Sequence, residues 1–118
     1  MNIVKTAVIS TLLLSAAAMA DDTMSMPDRQ AQGTAAQHSY QSGMDKMHHS
    51  MQKGMTSHDP DVAFANGMTA HHQGAIDMAK TELKYGKDPE MRRLAEAIIN
   101  AQQPEIDQMQ AWLKKQKK

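Results

Sequence analysis

Two short stretches of this chain gather side chains that bind soft metal ions. Met44–Met55 reads MDKMHHSMQKGM and Met68–Met78 reads MTAHHQGAIDM, and both set methionines beside a His-His pair at helical spacing. The 118 residues hold 12 methionines and no cysteine. Thioethers and imidazoles without thiolates suit Cu(I) or Ag(I), and imidazole adds affinity for Cu(II). A neutral thioether also binds without displacing a proton and leaves the ion exchangeable, as a carrier requires.

The placement of these residues on helices sharpens the reading. With each residue advancing about 100°, Met44, Met47, His48, Met51 and Met55 fall in one stripe about 100° wide. Between His38 and Asp61 there is no Leu, Ile, Val or Phe, so methionine is nearly all this helix has to bury. Leucine would pack at lower entropic cost, so the thioether itself looks wanted. The bland alternative is a methionine core. In the next helix Met68 lies between His71 and His72, with Met78 on the His71 edge. Ala75 and Ala79 leave room on this surface, and Phe64, Ile76 and Leu83 flank it. His49 and His58 point away and are expected to be solvated. This helix is expected to carry at least one histidine ligand, although a hydrogen-bonded core histidine is the common alternative.

Three helices must position these residues. Asp59-Pro60 and Asp88-Pro89 each supply a capping carboxylate and a proline at the first helical position. The first helix is expected to be capped by Ser39 or Ser42 and stopped by Gly54, and the second to end at Gly86. The third keeps one apolar phase through Met91, Leu94, Ala95, Ile98, Ile99, Ile106, Met109, Trp112 and Leu113. Pro104 falls inside it, where a kink is expected. Gln102 sits in that apolar stripe and needs a hydrogen-bond partner, either a metal-binding histidine or the helix itself. No run alternates with period two, so the expected fold is all-α, a small antiparallel bundle of three main helices.

The first 20 residues have the pattern of an export signal: Lys5, an apolar run over Ala7–Ser15, and Ala18-Met19-Ala20 as a cleavage site. Residues 21–38, rich in polar residues and containing Met24 and Met26, read as a flexible leader, and residues 39–118 as the metal-binding domain. The expected location is periplasmic or secreted. Lys plus Arg and Asp plus Glu both number 13, a balance that does not point to nucleic acid or to an anionic membrane surface. No later stretch approaches the ~20 apolar residues of a membrane span. The absence of cysteine excludes disulfides and thiolate metal sites.

The block Phe64-x-x-x-Met68-x-x-His71-His72-x-Gly74-Ala75-Ile76-x-Met78-Ala79, followed by Leu94-Ala95-x-x-Ile98-Ile99-x-x-Gln102-x-x-Glu105-Ile106-x-x-Met109-x-x-Trp112-Leu113, resembles the CopM-like family of exported helical proteins. That family was first catalogued as a domain of unknown function, is grouped with ferritin-like folds, and includes periplasmic copper-binding members. The resemblance implies that Met68, His71, His72 and Met78 are metal-associated, with Met109 facing them from the last helix. It covers about residues 64–113, so the role of Met44–Met55 rests on spacing alone. Pro104 departs from the family pattern. The paired carboxylates and Glu-x-x-His sets of ferritin-like iron sites are absent.

The expected function is therefore a periplasmic copper metallochaperone or buffer contributing to copper tolerance and homeostasis. It would receive the ion from donor proteins and pass it to acceptors. Its site is pictured between the first two helices, from Met44, Met47, His48 and Met51 on one side and Met68, His71, His72 and Met78 on the other. The first helix is expected to dock weakly until metal binds. The alternative is a metal-free interaction module with a methionine-rich surface. Catalysis is not expected, because His-Glu-x-x-His is absent and no carboxylate is evidently poised beside the histidine pair. A homodimer would complete a four-helix layer.

Overall fold

The structure, a computed structural model, describes residues 33–117; the expected export signal and most of the expected leader lie outside them. It is an all-α antiparallel bundle of three helices: α1 (Ala35–Gly54), α2 (Pro60–Tyr85) and α3 (Pro89–Gln116). Among the described residues there is no strand and no helix long and apolar enough to cross a membrane.

The caps show why the helices start where they do. Asp59 accepts from the backbone N–H groups of Asp61 and Val62, and Asp88 from that of Met91, with Pro60 and Pro89 as the first helical residues. α1 corrects the expectation of a cap at Ser39 or Ser42. Thr34 and Gln37 form a reciprocal capping box, and four residues assigned to the leader, 35–38, are helical. The glutamine three residues beyond the threonine is the signal for it. α1 does stop at Gly54, and α2 stops at Tyr85 with Gly86 as its C-cap. The Arg92 side chain donates from Nη1 to the carbonyls of Leu83 (2.8 Å) and Gly86 (3.0 Å), tying the second connection to the start of α3. α3 runs on through Pro104 without a break.

α1 and α3 each pack against α2 and not against each other. The α1 seam is built on small residues of α2. Met47 lies over Gly74, where an added Cβ would meet Met47 Cγ at 2.7 Å, and Met55 lies over Gly67, where it would meet Met55 Cγ at 2.8 Å. Thr81, seven residues beyond Gly74, shares a 2.7 Å hydroxyl hydrogen bond with Ser39 and donates to the carbonyl of Asp77. Gly67, Gly74 and Thr81 therefore form a stripe on which α1 rests its methionines. The room for α1 is supplied by these two glycines, while Ala79 is buried towards the α3 side of α2. The α3 seam, marked by His72 meeting Glu105 and Leu83 meeting Arg92, lies roughly 180° around α2 from that stripe. α2 is thus the middle of a single layer of helices.

One layer encloses little. Among the described residues the buried apolar ones are Ala65, Ile76, Ala79, Ala95 and Ile106, and no residue of α1 is fully buried.

Because Met47 fills the space above Gly74, Gly74→Val is expected to lower stability by about 1–3 kcal/mol, despite glycine's poor helix propensity. Thermal melts followed by circular dichroism, with Gly74→Val/Met47→Ala recovering part of the loss, would check it.

Candidate metal-binding residues

The nine sequence-nominated residues do not form one cluster. They are divided between a strip along the α1 seam and the α3 seam, because the wheel that placed Met68, His71 and His72 on one inward face did not know which side α1 would take.

Met47 is in the α1 seam. Met44 and Met51 are half-buried at one edge of that seam, and His48 is exposed. The register set by Met47 at Gly74 and Met55 at Gly67 brings Met51 level with His71 and Met44 level with Met78. His71 and Met78 are both exposed, on the same side of the layer as Met44 and Met51 by helical phase. The first set is therefore a surface strip of thioethers and imidazoles. His49 and His58 are exposed, as expected.

Met68 and His72 belong to the other seam. His72 is buried, and its Nε2 is paired with the Glu105 carboxylate Oε2 of α3. One turn along in this antiparallel register, Met68 stands level with Met109, and both are half-buried. The expectation that Met68 and His72 would join the α1 methionines is thus overturned, as is the expectation that no carboxylate stands beside the histidine pair. Glu105 was missed because it is 33 residues from His72. The legible signal was the short second connection, since the two residues are about equally far from Asp88.

The chemistry of this second group follows from its hydrogen bonds. A carboxylate accepts, so it favours the tautomer that keeps the proton on Nε2 and leaves the lone pair on Nδ1. His72 Nδ1 is buried without a partner, and so is Gln102 Oε1, from the facing helix. Neither role expected for Gln102 is realised by that oxygen. Two unpaired acceptors in one helix interface are costly in an apolar setting and are the atoms a cation would satisfy. Among the described residues no three His, Cys, Asp or Glu side chains are grouped to hold an ion, so an ion here would need thioethers. Met68 and Met109 are the thioethers at this level.

Glu105 itself is 61% exposed in its side chain, so it can be removed without opening a cavity. Glu105→Ala is expected to cost about 1–3 kcal/mol by leaving the buried imidazole with neither nitrogen paired, while Glu105→Gln retains most of the stability. Urea unfolding of the two variants would separate these outcomes.

The chain matches the family described as a domain of unknown function (DUF305) over residues 9–116. It is also similar to an uncharacterized protein of Acanthamoeba polyphaga mimivirus, with 42% identity over 57 residues. That match covers 48% of this chain and 38% of the viral protein.

Proposed function

This chain belongs to the DUF305 family, and we propose that it is a CopM-like exported carrier or buffer of Cu(I), with Ag(I) or Cu(II) as secondary cargo, contributing to copper tolerance. The observation that carries the proposal is the state of His72. Its Nε2 is held by Glu105, its buried Nδ1 has no partner, and thioethers stand one turn away on both helices.

In this reading, Met68, His72 Nδ1 and Met109 would hold one ion between α2 and α3. Glu105 fixes the ring's orientation and tautomer, as an outer-shell carboxylate does for metal-bound imidazole. The thioethers favour the monovalent soft ion over Zn(II). Met44, Met51, His71 and Met78 form a second, more exposed set. Being without an anchoring carboxylate, it would hold an ion more weakly, with Met47 filling the seam beneath. His48 lies at the outer edge of this strip.

Carriage is favoured over catalysis because the unpaired nitrogen of His72 is buried, whereas a general base must reach substrate. Residues 1–20 support export and a periplasmic location by their basic start, apolar run and small-residue cleavage pattern.

The test is anaerobic titration of the protein with Cu(I) against a chromogenic Cu(I) chelator, with Zn(II) as control. Saturable Cu(I) binding is expected, and His72→Ala combined with Met68→Leu should weaken it by about 10-fold to 100-fold in a chain of unchanged helicity. Met44→Leu with Met51→Leu should leave that affinity and remove only weaker binding. Cu(I) affinity no greater than that of a scrambled methionine-rich peptide would end the proposal.

A further inference from the structure

We infer that one side of the three-helix layer is a homodimer interface, across which two copies stack to form a two-layer, six-helix core. The inference is independent of metal.

The two sides of the layer differ sharply. One is marked by grooves lined by Lys46, Lys53, Asp77, Lys80 and Lys84 with neutral polar neighbours. By helical phase, Met55, Phe64, Met78, Met91 and Leu94 lie on the other side. These are among the exposed large apolar residues, with Phe64 66% exposed and Leu94 51%. At the α2–α3 end of this side, Phe64, Met109 and Trp112 line an open groove. Scattered exposed apolar residues are ordinary, but a face to which α2, α3 and the cap of α1 contribute is not.

Three considerations select a second copy as the occupant. A helical domain ordinarily buries its apolar stripes between two layers, and here α1, α2 and α3 make one. The residual core is accordingly thin, with Ile76 as the large side chain that is fully buried, and small domains with such cores are commonly stabilised by oligomerisation. The area also fits. A helix of 20 residues is ~30 Å long and three helices at ~9 Å spacing are ~27 Å wide, giving about 800 Å² per copy. That is about the contribution of each partner to a standard stable interface. An isologous contact further requires that the face not repel itself. The lysines that line the opposite grooves are absent from the apolar set, and the two charged residues at this side's groove, Asp61 and Lys115, are of opposite sign.

Sedimentation equilibrium of the chain in chelator-containing buffer is the test, with Leu94→Glu and Phe64→Glu as variants and Lys80→Glu as control. A dimer is expected at micromolar concentration, with its dissociation constant raised about 100-fold or more by either face variant and little changed by the control. Both face residues are exposed in the single chain, so helicity by circular dichroism should be retained. A chain monomeric up to ~100 µM, a dimer insensitive to both face variants, or a dimer that forms only with Cu(I) would overturn the inference. So would a monomer that binds neutral phosphatidylcholine vesicles through Phe64 and Leu94. Loss of Cu(I) binding with the dimer intact would count against the copper proposal alone.

Discussion

The structure depends on α2 serving two neighbours from opposite sides. A helix flanked in this way must carry two packing stripes, and the two on α2 are chemically unlike. One is made of Gly67, Gly74 and Thr81, small enough for α1 to approach and lay Met47 and Met55 across the backbone. The other carries His72 to Glu105 and Ile76 into the core. Every candidate ligand is assigned to one set or the other by this division.

The division also explains how polar residues survive in so thin a core. The α1 seam needs little apolar area because close approach over glycine gives methionine many dispersion contacts, and a hydroxyl pair fixes its register. The α3 seam is larger in aliphatic side chains and carries its polar groups at the centre. His72 and Gln102 each leave one buried atom without a partner there. In a helical protein such atoms weigh against stability, and their retention on facing helices is what gives the copper proposal its physical basis. The methionines alone would be equally at home in a core.

Much was legible from residue order. Asp-Pro pairs mark the starts of α2 and α3 because a carboxylate cap and a fixed proline φ act locally, within one turn. Gly54 and Gly86 mark ends for similarly local reasons. The capping box at Thr34 was as local but was overlooked, since the polar stretch around it has no apolar periodicity. The amphipathic phase of α3 and its persistence through Pro104 were also readable, because a proline within a helix removes one donor and does not shift the phase.

What residue order did not determine is which stripe of α2 meets which helix. A wheel gives angles about one axis, and for a middle helix two opposed faces are both inward, so Met68 and His72 could be assigned to α1 as readily as to α3. Only the chain's return through its two short connections decides the matter. It brings Glu105 to His72 and Met47 to Gly74, and leaves His71 and Met78 at the surface. The sequence by itself determined three helices, their caps and a supply of soft donors. The tertiary structure divided those donors into two groups, because long-range register depends on loop closure and on where small residues let helices approach, which no local period encodes.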